Sequence, residues 1–241
     1  MNKPAPDAAA MAKAFEALAT YDSGSGRAAL MPIDDAVVAS LGDAAARKEL
    51  VQRLVVVLQT RTSIVAKEYV CSKLRLIGSA DSVPALAALL GDKDLAHAAR
   101  DALESMPCPG AVQAIREALP KLAGLQKVGA MQSLGTRRDV PSVPALAGLL
   151  ADQDPQTAVA AAAALGEIGT LEAAEALRKA ASAGRPFQAV SALADALLAC
   201  AERLAADGKK AESQAICATL DVPGQPKHVR WAAARCVRGR Q

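Results

Sequence analysis

The sequence predicts an all-α, right-handed solenoid of about six two-helix repeats with an N-terminal helical cap. Three observations carry that expectation. The first is a fixed internal period: Ser82-Val-Pro-Ala-Leu-Ala-Ala-Leu-Leu-Gly-Asp-Lys-Asp94 returns sixty positions later as Ser142-Val-Pro-Ala-Leu-Ala-Gly-Leu-Leu-Ala-Asp-Gln-Asp154. Such self-similarity marks a fold in which one unit stacks on copies of itself. The second is composition. The chain is 52% apolar and only 2% aromatic, and its apolar residues are mostly alanine and leucine, the strongest helix formers. The third is the lack of period-2 runs rich in Val, Ile and Thr, which leaves strands no sequence support.

The first helix of each repeat has a clear register. Val83-Pro-Ala-Leu-Ala-Ala-Leu-Leu90, Val112-Gln-Ala-Ile-Arg-Glu-Ala-Leu119, Val143-Pro-Ala-Leu-Ala-Gly-Leu-Leu150 and Ala174-Glu-Ala-Leu-Arg-Lys-Ala-Ala181 align, with starts 29, 31 and 31 residues apart. Apolar residues recur at i, i+3 and i+6 or i+7, one face of a helix. Pro84 and Pro144 fall in the first turn, where a missing N–H is harmless, and Asp81, Ser82 and Ser142 are expected as N-caps. The second helix follows a short turn and ends in Leu74-Arg-Leu-Ile-Gly78, Leu134-Gly135 or Leu165-Gly-Glu-Ile-Gly169, where glycine is expected to stop the helix in a left-handed conformation.

This divides the chain into a cap, residues 1–42, and a solenoid, 43–241, with units near 43–78, 79–108, 109–138, 139–169, 170–207 and 208–241. The cap holds two amphipathic stretches, 7–20 and 26–41, split by Asp22-Ser-Gly-Ser-Gly26. The fifth unit contains one long helix from Pro186 to Gly208. After it, Ala211–Leu220 and a helix ending at Arg238 form the sixth. No cap is evident at that end: either its arginines do the capping or the chain is a segment of a longer protein, the second reading being slightly preferred.

The pattern D-x-x-V-R-x-A-A-x-A-L-G-x-I-G followed by V-P-A-L-x-x-L-L resembles bacterial HEAT repeats, and more narrowly the short HEAT-like units of phycobilisome lyases. Asp154-Pro-Gln-Thr-Ala-Val-Ala-Ala-Ala-Ala-Ala-Leu-Gly-Glu-Ile-Gly169 is the closest stretch, Pro226-Lys-His-Val-Arg-Trp-Ala-Ala-Ala234 is another, and the likeness spans residues 40–241. Tyr21-Asp-Ser-Gly-Ser-Gly-Arg-Ala-Ala-Leu30 is similar to the opening of large bacterial HEAT proteins. The resemblance implies the fold and fixes no catalytic residue. The family's basic residue near the start of the second helix is kept as Lys67, Lys127 and Arg230 and replaced by Ala96 and Ala158, so a charged ladder between repeats should be interrupted there.

Chemistry has no visible agent. The two histidines, His97 and His228, stand outside any metal-ligand spacing, and the paired His-Glu motifs of a di-iron HEAT enzyme such as deoxyhypusine hydroxylase are absent. A HEAT-like DNA glycosylase needs aromatic side chains and a basic channel, whereas the one tryptophan, Trp231, lies in the final helix. No phosphate loop, nucleophile motif or cofactor signature occurs. The five cysteines, Cys71, Cys108, Cys200, Cys217 and Cys236, lack C-x-x-C spacing and read mainly as small buried side chains. Cys200 and Cys217, on successive helices, are the pair expected to be a disulfide if any is.

A net charge of +3 is too mild to imply nucleic acid, although Lys227, His228, Arg230, Arg235, Arg238 and Arg240 cluster. There is no signal-like apolar core and no membrane-spanning run, so the chain as written reads as cytoplasmic, or exported if a leader was removed. The expected function is a non-catalytic protein–protein interaction scaffold, without cofactor, metal or membrane, and with a protein partner rather than nucleic acid. Candidate partner-binding residues on the concave side are Lys67, His97, Arg100, Lys127 and Arg230. The alternative is a chromophore-lyase-like enzyme or a nucleic-acid-binding module using the same surface.

Overall fold

A computed structural model describes residues 6–183 and 187–238, with backbone alone over 187–190. Among the described residues all regular structure is helical, and the all-α solenoid expected from the period is the fold observed. The chain forms two compact units, Met1–Leu122 and Ala123–Gln241, and the division falls between the two helices of the third repeat. The start of the long helix at Pro186 and the basic residue Arg240 lie outside the described residues.

The first unit contains α1 (Ala8–Ala19), α2 (Met31–Ser40), α3 (Ala44–Gln59), α4 (Ile64–Ile77), α5 (Val83–Ala87), α6 (Ala96–Ser105) and α7 (Pro109–Ala118). The second contains α8 (Gly124–Thr136), α9 (Val143–Leu149), α10 (Pro155–Ile168), α11 (Leu171–Ala181), α12 (Phe187–Ala206), α13 (Lys210–Leu220) and α14 (Lys227–Val237). Within each unit first helices pack on second helices, α5 on α6 and α9 on α10, burying Leu86 and Leu146, and Leu74, Leu134 and Leu165 of the second helices are fully buried.

Side-chain caps fix where several helices begin. Asp7, Asp43, Ser63, Asp154 and Thr170 each accept hydrogen bonds from backbone N–H groups of the following turn. The expected caps Asp81, Ser82 and Ser142 do not act so. Each belongs to a 3₁₀ turn, Ala80–Ser82 or Val140–Ser142, that runs straight into α5 or α9. The Ser82 hydroxyl instead accepts from Ser79 N–H at 3.2 Å and donates to the Ser79 carbonyl at 2.8 Å. The Ser142 hydroxyl donates to the Asp139 carboxylate.

The glycine expectation holds at one of the three helix ends and fails at two. Gly169 closes α10 with φ 67°, the left-handed stop. Gly78 follows α4 with φ −57°, so it needs no left-handed backbone. Gly135 and Gly166 lie inside α8 and α10, and their reason is proximity. A Cβ on Gly135 would sit 2.9 Å from the Ala164 Cα, and one on Gly166 would sit 2.7 Å from the Ala196 carbonyl oxygen. Neighbouring second helices therefore touch backbone to backbone. The stop of α8 falls to Arg138 with φ 49°, where Arg138 N–H bonds Gly135 C=O and Asp139 N–H bonds Leu134 C=O.

A polar clasp ties α2 to α4. Asp34 Oδ1 accepts from Lys73 Nζ at 2.7 Å and from the Tyr69 hydroxyl at 2.9 Å, and Asp34 Oδ2 meets Arg27 at 3.2 Å. Lys73 Nζ also lies 4.6 Å from the Tyr69 ring centroid.

The cysteine expectation is corrected. Cys217 is bonded to Cys236, joining α13 to α14, and not to Cys200. Cys200 points from α12 toward the start of α11, where its thiol donates to the Thr170 carbonyl at 3.4 Å. Burial pushes that thiol up to about 11. Closing a loop with a sequence separation of 19 contributes about 3 kcal/mol on the chain-entropy account.

Candidate functional site

The five candidate residues all lie on second helices, but they do not form one cluster. Lys67 on α4 and Lys127 on α8 are half-buried and face the turn of the following repeat. Lys127 Nζ lies 3.4 Å from Asp152. Asp92, the equivalent turn residue, is held below the usual carboxylate range by the N–H groups of Leu95 and Asp94, with a smaller contribution from Lys67. Lys127 thus pairs with an aspartate 25 residues on, Lys67 adds only a weak field at the equivalent Asp92, and the intervening repeats hold Ala96 and Ala158 at this register.

His97 and Arg100 do meet. The Arg100 Nη2 lies 3.0 Å from His97 Nδ1, and Nη1 lies 3.2 Å from Glu104 on the next turn of α6. Arg230 is exposed on α14. These basic side chains therefore act mostly within the stack, so Lys127→Ala is expected to lower stability by no more than about 1 kcal/mol. Thermal unfolding checks this, and a larger loss would show that the ladder holds the repeats together.

Two further cross-repeat pairs sit at the helix ends of the second unit. Arg138 donates from Nη1 to Asp207 at 3.0 Å and from Nε to the Ile168 carbonyl at 3.2 Å, holding the Asp207 carboxyl well down. Arg203 pairs with Glu167.

What the charge-led reading passed over is an apolar row one residue further along. The position after each register residue is Glu68 and His97 in the first unit, but Val128, Val159 and Trp231 in the second. Val159 is 43% and Trp231 63% exposed, and Leu125, at the start of α8, is 81% exposed. On α10 the exposed Ala163 follows Val159 by one turn. Arg235 stacks over Trp231, its guanidinium carbon 4.7 Å from the ring centroid. The alignment that located the cations contained this signal too.

The second unit also has an open cleft of about 580 Å³ between α11 and α13, floored by Ala194 and Leu197 of α12. Arg178 and Lys179 stand on its rim, and Gln225 Oε1 is buried there without a hydrogen-bond partner among the described residues. It lies among first helices, not on the face the candidates occupy. Among the described residues no three His, Cys, Asp or Glu side chains gather as a metal site, and no helix is long and apolar enough to cross a membrane.

No family model matches this chain, and no curated protein matches it. Among solved structures, human deoxyhypusine hydroxylase in complex with glycerol is similar at 18% identity over 95% of each chain, with a TM-score of 0.39. The expectation that the chain is not an enzyme is corrected here, because a solved structure to which it is similar is that of an enzyme. That expectation rested on missing local motifs. Such motifs are weak ground in a repeat fold, where reacting groups can come from helices far apart in sequence. A likeness of this degree passes neither a reaction nor a residue to this chain; what stands is an all-helical repeat protein.

Proposed function

We propose that the protein is an interaction scaffold that holds an amphipathic helix of a partner protein against α8, α10 and α12. The observation that carries this reading is the surface of α10, where Val159 and Ala163 are exposed at i and i+4. Val128 and Gln132 occupy the same register on α8, and Asp195 and Ala199 border it on α12. Small and apolar side chains at that spacing let a second helix approach closely. The cations that a nucleic acid would need are engaged by Asp152 at Lys127 and by Glu104 and His97 at Arg100. The cleft that a lyase-like activity would need opens elsewhere. The short, bacterial, lyase-type character of the repeats belongs to the same reading.

The test uses this chain as bait in native lysate, with cross-linking mass spectrometry, beside an Ala163→Arg variant. One stoichiometric protein cross-linked along 125–163, and retained at least about tenfold less by the variant, is the expected result. Ala163 is exposed, so the variant should unfold at the wild-type temperature. Equal retention by both baits would remove the α10 surface from consideration, and nucleic acid or a pigmented protein in the eluate would favour the other functions.

A further inference from the structure

We propose that Cys217 and Cys236 form a reversible redox latch: oxidised, the bond holds α14 on α13; reduced, α14 comes away while the rest of its unit stays folded. The latch stands independently of the partner-binding reading.

The two residues are placed for it. Their Cα atoms are 6.2 Å apart, a span a disulfide bridges without backbone movement. Cys217 is buried in the α13 face, whereas Cys236 is only half-buried, so a thiolate can approach the bond from solvent. The three other cysteines lack this arrangement. Cys71 and Cys200 are buried with thiols pushed well up, and Cys108 precedes α7 with no sulfur partner. Thiol–disulfide chemistry is confined to one helix pair.

Little else holds α14. Of its eleven residues Val229 and Ala233 are buried, while Lys227, His228, Arg230, Trp231, Arg235 and Val237 are exposed. By contrast α12 buries Leu193, Ala194, Ala196, Leu197, Cys200, Ala201 and Leu204. The ion pair from α14 to α12, His228 Nε2 to Asp195 at 3.0 Å, is more than half exposed on both sides and adds little. No side chain caps the α14 N-terminus, and a helix of this length is marginal alone in water. The connecting turn, exposed over 221–224 and containing Gly224 at φ 102°, can take up a change in direction. Without the bond, two buried side chains, the half-buried Ala232 and Ala234 and one exposed ion pair must hold eleven residues.

The redox step balances simply. A dithiol reductant delivers two electrons to the Sγ–Sγ bond, which breaks. Each cysteine sulfur ends with one proton, and the reductant closes its own disulfide.

The test is thiol counting with local hydrogen exchange on the full chain, before and after treatment with dithiothreitol. Alkylation in denaturant should find three free thiols before reduction and five after. Exchange over 227–237 should speed up about a hundredfold, the factor that closing such a loop is worth, while 155–168 keeps its protection. The emission anisotropy of Trp231, the only tryptophan, should fall in step and recover on reoxidation. A Cys217→Ser/Cys236→Ser chain should match the reduced state, and the dithiothreitol series decides the matter even if that chain folds poorly. Five free thiols at the outset would overturn the latch. So would unchanged exchange over 227–237, or an equal acceleration at 155–168, which would make the bond a support of the whole unit.

Discussion

Gly166→Leu is expected to destabilise the second unit by about 3 kcal/mol, near the upper end for overpacking a well-filled contact. The neighbour of a Cβ at this position is the main chain of Ala196, with its oxygen at 2.7 Å and its Cα at 3.0 Å, so no flexible side chain can yield. Helix propensity works the other way, since any non-glycine residue gains up to about 1 kcal/mol in a helix interior, and it is outweighed. Urea unfolding followed by Trp231 fluorescence reads the unit that contains both residues. Gly148→Ala is the control: nothing lies within 4 Å of its Cβ on α9, and a gain of about 0.5 kcal/mol is expected. A Gly166→Leu chain with the wild-type midpoint would show that α10 and α12 do not meet as described.

Asp34→Ala should cost the first unit about 3 kcal/mol. The loss comes from stranding Lys73, whose side chain is 10% exposed and whose nearest anion is Asp34 at 2.7 Å. Removing one member of a buried pair typically costs about 3–5 kcal/mol, and the lower figure applies because Asp34 is itself 26% exposed. Replacing Asp34 by leucine and Lys73 by methionine together should lose less than Asp34→Ala alone. The clasp also sets a pH dependence. Burial raises the Asp34 carboxyl, but hydrogen bonds from Lys73, Tyr69 and Arg27 and the charge of Lys73 more than offset it, leaving it below the ordinary value. A carboxyl depressed in the folded state contributes above its unfolded pKa of about 4 and loses that contribution as pH falls through the folded value. The stability gap between wild type and Asp34→Ala should therefore narrow between pH 7 and pH 3, and a constant gap would contradict the clasp.

The repeat was legible because its determinants are local: Val-Pro-Ala-Leu starts a helix, paired leucines fill its inner face, and Gly169 ends one. The roles of Gly135 and Gly166 were not. Leu-Gly reads the same whether the glycine closes a helix or lies within it, and the deciding atoms belong to Ala164 and Ala196, about thirty residues away. Cys200 and Cys217 lie on successive helices, but facing depends on helix phase, and the phase of α13 turns Cys217 toward Cys236. At the candidate site the basic register was found, yet its partner Asp152 lies in the turn of the next repeat. The neighbouring register of Val128, Val159 and Trp231 was visible in the same alignment and carried no charge to draw notice.

In the second unit α8, α10 and α12 meet through glycine with no side chain between them, while α11 and α13 stand apart over the cleft above Leu197. A course of bricks thinner on one side than the other must bow toward its thin side, and here the thin side is set by residues with no Cβ. Side-chain volume along these helices thus encodes a radius. A bulkier residue at position 135 or 166 must part the two main chains it would lie between, so the bend of this unit and its stability are set by the same missing side chains.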